Sequence, residues 1–154
     1  MNRHLSRVIV MQTLYEWDFR PQADISEVKG RNIENYHEDA DIDFINQTIE
    51  NTIKNIKTID AEIIKAAPEW PLEQIAAIDK TILRIAISEI LSSEDVPPKV
   101  AINEAVELGK TFGGQNSSKF INGVLGTVYR HSPKYNPKED KKITEAKEEE
   151  TDEC

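Results

Sequence analysis

The chain has 154 residues, a length typical of one domain with a single hydrophobic core. Acidic residues outnumber basic ones, 28 to 19, and the net charge of −9 argues against non-specific nucleic-acid binding, because phosphate contacts require lysine and arginine. One cysteine, Cys154, excludes an internal disulfide framework, and no apolar run has the length of a membrane span, so we expect a cytoplasmic protein.

The charge is unevenly distributed along the chain. Residues 21–62 contain ten acidic and four basic residues, and the segment from Ser132 onward contains eight and five. Residues 1–20 and 101–131 are each slightly basic. A fold that brings these two basic segments to one face would keep the acidic residues away from it.

Helical periodicity dominates the first half of the chain. Apolar residues three and four positions apart predict a helix from Leu5 to Phe19, which Pro21 ends. A short helix is expected from Ile25. The next helix carries an apolar stripe from Phe44 to Ile56, with Asp41 or Asp43 as its N-cap, and one or two further turns are predicted between Asp60 and Ala67.

The second half contains the most apolar helix. It is predicted to begin at Trp70-Pro71 and to run from Leu72 to Leu91, with apolar residues on nearly every side, which is typical of a buried central helix. A further helix is predicted from Val100 to Phe112 and ends at two glycines. Asn116 or Ser117 is the expected N-cap of the last helix.

These elements predict an all-α fold. We expect a single-domain bundle of about six or seven helices around the buried central one, spanning residues 1–131. Residues 132–154 are highly charged and are expected to form a disordered tail.

Sequence signals for catalysis are absent. The chain has no G-x-S-x-G, phosphate-binding loop, dinucleotide fingerprint or H-E-x-x-H motif, and His4, His37 and His131 lack the spacing of metal ligands. We therefore expect a protein that is not an enzyme and needs no cofactor or metal.

Signals for binding lie in the N-terminal helix and in the central one. Arg3 and Arg7 share a helix face, so with His4 they could reach phosphates, or they could form an ordinary basic N-terminus. Tyr15 could be buried in the core or stack on a base. Arg84 interrupts the apolar central helix and needs either a partner molecule or an ion pair with Asp79 or Glu89.

The stretch "FGGQNSSKFINGVL", residues 112–125, places polar groups at the start of the last helix. Asn116 and two serines lie where free backbone N–H groups attract anions. Lys119 adds a positive charge and Phe120 adds a flat apolar face. The combination suits one RNA phosphate and one unstacked base, or else a capped helix with a core phenylalanine.

Four stretches in this order resemble the NusB family of bacterial transcription antitermination factors. They are "LYEWDF" (14–19), "ILRIAISEIL" (82–91), "DVPPKVAINEAVELGKTFG" (95–113) and "SSKFINGVLG" (117–126). The resemblance covers residues 1–131. It implies an all-helical, non-enzymatic protein that binds boxA RNA together with NusE, a ribosomal protein of the small subunit. It also implies loading onto RNA polymerase with NusA and NusG in ribosomal RNA operons, and a possible homodimer.

The resemblance and the binding signals together give a set of candidate site residues. The candidates for RNA binding are Arg3, His4, Arg7, Tyr15, Lys119, Phe120 and Asn122. The candidates for partner binding are Tyr15, Asp79, Arg84, Asn116 and Phe120. The chain departs from the family in having few N-terminal arginines and in carrying Asn116 where an acidic residue is common. We therefore expect weak RNA binding by the lone protein and tighter binding with NusE.

Two other interpretations remain. In the first, the chain is a protein-interaction module whose acidic surface binds a basic ribosomal protein and which has little RNA affinity of its own. In the second, it is the NusB-like domain that precedes RNA cytosine methyltransferases, an interpretation that the lack of a catalytic domain in the sequence disfavours.

Overall fold

The computed structural model describes residues 2–36 and 38–138, which form seven α-helices. The helices are α1 (Arg3–Phe19), α2 (Ile25–Glu34), α3 (Ile42–Lys54), α4 (Ile56–Ala66), α5 (Ala77–Ser92), α6 (Pro98–Phe112) and α7 (Ser117–Arg130). The predicted all-α bundle is confirmed. His37 and the part of the predicted tail from residue 139 to Cys154 lie outside the described residues. None of the described helices combines the length and apolar character needed to cross a membrane.

Helix α5 forms the centre of the bundle, as predicted. Every residue from Thr81 to Ile90 is buried, and the helix packs against α1, α3, α4, α6 and α7. Its predicted start is too early, because Leu72–Gln74 form a turn of 3-10 helix and the backbone is extended at Ile75 and Ala76. The regular helix therefore begins at Ala77 rather than directly after the Trp-Pro pair.

One apolar stripe is divided between two helices. Helix α3 ends and α4 begins on either side of Asn55, whose φ of −105° and ψ of 18° depart from helical geometry. The Asn55 side-chain Nδ2 donates to the carbonyl of Asn51 at 2.9 Å. As a result, α4 is longer than the one or two turns predicted. At the other end of α3, Asp41 rather than Asp43 is the N-cap, and it accepts the Phe44 N–H at 3.1 Å.

Two contacts set the direction of α1 relative to α5. Arg7 near the start of α1 meets Glu89 near the end of α5, and Asp18 at the end of α1 meets Lys80 near the start of α5. The two helices are therefore antiparallel. The start of α7 also lies beside the start of α5, because Phe120 and Asp79 line the same cavity. We call this end of the bundle, where α1 ends and α5 and α7 begin, the α7 end.

The described chain continues to make contacts beyond the predicted domain boundary at residue 131. The Asn136 N–H donates to the Tyr129 hydroxyl at 2.9 Å, and the Tyr135 ring meets the Tyr129 ring edge to face at 5.6 Å. The Lys134 ammonium donates to the Ser93 carbonyl. Residues 134–136 therefore pack against the bundle.

Candidate nucleic-acid interface

Phe120 lies at the rim of the bundle and not in its core. In the first turns of α7 the next residue, Ile121, is fully buried, whereas Phe120 is only half-buried. The Phe120 ring meets Trp70 edge to face, with 6.3 Å between the ring centroids, and Trp70 itself is 50% exposed. Two aromatic side chains thus form one partly solvent-exposed surface at the α7 end.

A cavity of about 400 Å³ lies beneath these rings. Its walls include Trp70, Ile75, Asn116 and Phe120, and Asp79 lies at its polar side. Asp79 is nearly buried, and its Oδ1 accepts no hydrogen bond among the described residues. Because a buried polar atom without a partner is costly, this oxygen marks a place where a donor from another molecule would be stabilised.

A hydrogen bond closes the turn between α6 and α7, and the backbone at Gly113 lies close to the Ser117 side chain. The Gly114 N–H donates to the Ser117 Oγ at 2.8 Å, and a Cβ added to Gly113 would lie 2.4 Å from that oxygen. Asn116 occupies the N-cap position of α7, as predicted, but its side chain makes no capping hydrogen bond, and the Ser117 Oγ accepts the Gly114 N–H instead. The Ser117 N–H donates to the Gly114 carbonyl at 3.1 Å, so the N–H groups of Ser118 and Lys119 are the ones left for solvent or for an anion at the start of α7.

Lys119 supplies the positive charge of this region. It is exposed in the first turn of α7 and forms no ion pair with any described residue. A lysine beside an uncapped helix N-terminus presents both a full charge and partial charges of the same sign.

Tyr15 lies on the outside of α1. It is 37% exposed, and its ring meets Phe19 edge to face at 5.0 Å. Its position one turn before Asp18, which contacts Lys80 of α5, places it at the α7 end. Of the two possibilities for Tyr15, the exposed one therefore describes this structure.

Arg84 is part of the bundle's interior. It is 8% exposed, its Nε and Nη2 donate to Asp60 at 2.9 Å, and its Nη1 donates to Asp18 at 3.0 Å. The predicted pairing with Asp79 or Glu89 is wrong. Burial opposes ionisation of Asp18, but hydrogen bonds from Lys80 and Arg84 outweigh it and lower the Asp18 pKa. Arg84 thus joins α1, α4 and α5 and has no exposed guanidinium to offer a partner.

Arg7 is also structural. Its side chain is 4% exposed and donates to both carboxylate oxygens of Glu89, with the shortest contact at 2.8 Å. Burial raises the pKa of Glu89, although the neighbouring Arg7 opposes the change. The structure therefore corrects the expectation that Arg3 and Arg7 reach phosphates together.

Arg3 and His4 lie at the opposite end of α1. Arg3 donates to Asp41 at 3.2 Å and lies 4.5 Å above the Phe44 ring. His4 contacts Glu104 of α6 at 3.0 Å. Both side chains are about half-exposed, so each can exchange an internal contact for an external one.

The helical repeat determines which of these N-terminal residues shares a face with Tyr15. Eleven residues are close to three full turns, so His4 and Tyr15 lie on the same face of α1, about 17 Å apart along the axis. Arg3 is rotated from Tyr15 by about a third of a turn and faces α3 instead.

The structure thus divides the candidate residues into three groups. The α7 end collects Tyr15, Asp79, Asn116, Lys119 and Phe120; the far end of α1 holds Arg3 and His4; and Arg7, Arg84 and Asn122 are buried. The sequence reasoning did not identify Trp70 as a site residue. A tryptophan before a proline, outside any apolar stripe, was the signal that could have pointed to it.

Comparison with known proteins agrees with this architecture. The sequence model of the NusB family matches residues 4–130. The transcription antitermination protein NusB of Dehalococcoides mccartyi strain CBDB1 is 43% identical over 127 residues, which cover 82% of this chain and 89% of that protein. NusB of Clostridium novyi strain NT is 37% identical and covers 84% of this chain and 99% of its own length.

Solved structures give the same result. T. maritima NusB superimposes with a TM-score of 0.77 at 30% identity, covering 92% of this chain and 98% of that one. A NusB chain from a complex of the antitermination factors NusB and NusE with double-stranded RNA has a TM-score of 0.75 at 21% identity, covering 84% and 97%, and so shares the fold. On the family match, the sequence identity and the shared helical architecture, the chain belongs to the NusB family.

Proposed function

We propose that this protein is a transcription antitermination factor that binds boxA-type RNA as a heterodimer with NusE. In this proposal the heterodimer joins RNA polymerase with NusA and NusG in the cytoplasm and supports transcription of ribosomal RNA operons. A protein of the same fold has been crystallised with NusE and double-stranded RNA, which supports NusE and RNA as partners. The family's proteins carry the name of transcription antitermination proteins.

One observation carries the proposal. At the α7 end, the exposed Lys119 lies in the first turn of α7 and directly precedes Phe120, whose partly exposed ring packs against the exposed Trp70. Cations and ring faces side by side suit single-stranded RNA, since phosphates need positive charge and unstacked bases need flat apolar partners.

The proposed RNA path starts from this patch and uses α1. Lys119 and Phe120 hold one part of the strand, and Tyr15 lies at the same end of the bundle. His4 lies on the same face of α1 as Tyr15, about 17 Å away along the helix axis. Arg3 adds charge from the neighbouring face. Arg7 and Asn122, being buried, support the surface without touching RNA.

The proposed partner site is the cavity beneath the Trp70 and Phe120 rings. Asp79 offers its unpartnered carboxylate oxygen to a donor on NusE, and Asn116 and Phe120 form the rim. A basic ribosomal protein is the natural counterpart of this carboxylate in a chain with a net charge of −9.

RNA recognition is tested by binding a boxA RNA and a scrambled RNA of equal length, with and without NusE, at two salt concentrations. We expect preference for boxA by the heterodimer, and weaker binding by the lone chain. Lys119→Ala should lower the affinity and reduce the salt slope by about one. Lys57→Ala, on the exposed side of α4, is the matched control and should change neither. Equal retention of the two RNAs by the heterodimer would contradict the proposal.

The partner site is tested with Phe120→Asp. The charge should weaken NusE binding while the melting temperature stays close to that of the wild type, because the ring lies at the rim. Ile64→Asp, at a residue on α4 that is 51% exposed, introduces the same charge elsewhere and should leave NusE binding unchanged. Global unfolding of the Phe120 variant would show that the ring belongs to the core.

A second candidate function is supported by the two buried arginines. Because Arg7 and Arg84 are occupied by Glu89, Asp60 and Asp18, fewer cations reach the surface than the sequence suggests. In this alternative the protein binds basic NusE and leaves RNA contact to it. This candidate would be favoured if the protein bound NusE and if NusE alone bound boxA RNA as tightly as the heterodimer does.

A further inference from the structure

A second groove lies between α1 and α2, beside the proposed RNA path. Its volume is about 460 Å³. It is lined by Gln12, Tyr15, Glu16, Phe19, Asn32, Asn35 and Tyr36. Three of these residues are aromatic and three carry carboxamides, a composition unlike that of the bundle's core. Tyr15 belongs both to this groove and to the proposed RNA surface, so the two are continuous.

The aromatic residues of the groove are exposed. Tyr15 is 37% exposed, Phe19 61% and Tyr36 44%. Tyr15 and Phe19 pack edge to face at 5.0 Å, so their rings are held in place while parts of their faces remain open to solvent. Three ring-bearing side chains around one groove offer a base several surfaces on which to stack.

The carboxamides supply hydrogen-bonding groups beside the rings. Asn32 Nδ2 donates to the Thr13 Oγ1 at 3.0 Å, which orients this carboxamide and leaves its oxygen as an acceptor. Gln12 and Asn35 are exposed and present both donors and acceptors. Asparagine and glutamine side chains match the donor and acceptor groups at the edge of a base.

Two arginines flank the groove. Arg31 Nη2 lies 2.7 Å from Glu16 Oε1, and Arg20 Nη1 lies 3.8 Å from Glu16 Oε2. One carboxylate is therefore shared by two guanidiniums, whose side chains are 58% and 66% exposed. These two guanidiniums and the one carboxylate carry a net charge of +1 at the rim, within an otherwise acidic part of the chain.

We propose that the groove between α1 and α2 binds an unpaired base of single-stranded RNA, with Arg20 and Arg31 contacting its flanking phosphates. The base stacks against Phe19 and Tyr36, and the carboxamides of Gln12 and Asn32 contact its edge. This inference rests on the proposed function, because the strand reaches the groove by passing Tyr15 from the surface formed by Lys119 and Phe120. The groove extends the RNA contact by at least one nucleotide beyond that surface.

The test compares two RNAs bound to the heterodimer with NusE: a boxA RNA, and the same RNA extended by several unpaired nucleotides at both ends. Binding is followed by fluorescence anisotropy. Phe19→Ala combined with Tyr36→Ala should weaken binding of the extended RNA by about five-fold or more and leave the short RNA unaffected. Arg20→Gln combined with Arg31→Gln should lower the salt slope for the extended RNA alone.

Controls separate this inference from the proposed function. Lys119→Ala should weaken binding of both RNAs, and Ile64→Ala, on α4, should weaken neither. If Lys119→Ala acts as expected and the groove variants do not, the groove inference is wrong and the proposed function stands. If neither RNA binds in preference to scrambled RNA, the proposed function itself fails. Loss of NusE affinity in the groove variants would assign the groove to protein binding and overturn the inference.

Discussion

Removing the Arg7 guanidinium tests whether this residue is structural or RNA-binding. The Arg7 and Glu89 side chains are each 4% exposed, and the pair is closed by hydrogen bonds to both carboxylate oxygens. Arg7→Ala leaves the Glu89 carboxylate buried without its counter-charge, which costs about 3–5 kcal/mol. For a chain of this size we expect the melting temperature to fall by roughly 10–20 °C.

The same variant should show a characteristic pH dependence. Burial already raises the pKa of Glu89 in the folded state, and without Arg7 the pKa rises further. A carboxyl group with a raised folded pKa binds its proton more tightly when folded, so stability is present at low pH and is lost as the pH rises through the folded value. The destabilisation of Arg7→Ala should therefore be smaller near pH 5 than at pH 7.

Urea unfolding followed by circular dichroism measures these changes, and RNA affinity is measured at a temperature where every variant is folded. Arg3→Ala is the matched control, because the exposed Arg3–Asp41 pair should contribute less than about 1 kcal/mol. The reasoning would be refuted if the unfolding free energies of Arg7→Ala and the wild type agreed within about 1 kcal/mol and the variant bound RNA as weakly as Lys119→Ala does.

Three further predictions concern stability. Gly113→Ala should destabilise the fold by about 1–3 kcal/mol in urea unfolding, because the new Cβ would lie 2.4 Å from the Ser117 Oγ, whereas Gly114→Ala, with that atom at 3.9 Å, should be close to neutral. Gly30→Ala should stabilise the fold by about 0.5–1 kcal/mol, because Gly30 lies in α2 and nothing lies within 4 Å of the added Cβ. A loss of stability in this variant would contradict the helix-propensity argument. Asp18→Asn should be less stable than wild type at neutral pH. Because the folded pKa of Asp18 lies below the ordinary value of 3.8, the greater stability of the wild type is present above that pH and disappears as the pH falls through the folded pKa. A difference in unfolding free energy that stayed constant down to about pH 2 would contradict the ion pairing of Asp18.

Features that depend on local spacing could be predicted from the sequence. The periodicity of the apolar residues gave α1, α6 and α7 within a few residues of their observed bounds, and the continuous apolar surface of α5 marked it as central. Asn55 shows where this approach fails. An asparagine within an unbroken apolar stripe gives no signal that the backbone turns there, so the predicted stripe runs on to Ile56, which is already the first residue of α4.

Long-range pairing limited the prediction of the candidate site. Local spacing placed Arg7 with Arg3 and Arg84 with its neighbours on α5, but their partners are 82 and up to 66 residues away. Which carboxylates meet an arginine in the interior depends on how the helices cross, and this is not encoded in spacing along one helix. For Phe120 the sequence left two possibilities open, a ring facing RNA or a ring in the core. The structure distinguishes them, because Ile121 is fully buried and the partly buried Phe120 ring lies at the rim.

The ion pairs of α1 also have a consequence for synthesis. The partners of Arg7 and Asp18 lie on α5, so a nascent chain that has not yet released residues 80–89 from the ribosome cannot neutralise the buried charges of its own N-terminal helix. We expect ribosome-bound chains that expose only the first seventy or so residues to be cleaved rapidly by protease within α1, and chains that expose the full bundle to resist. The N-terminal helix, although synthesised first, would then be among the last elements to become resistant to protease.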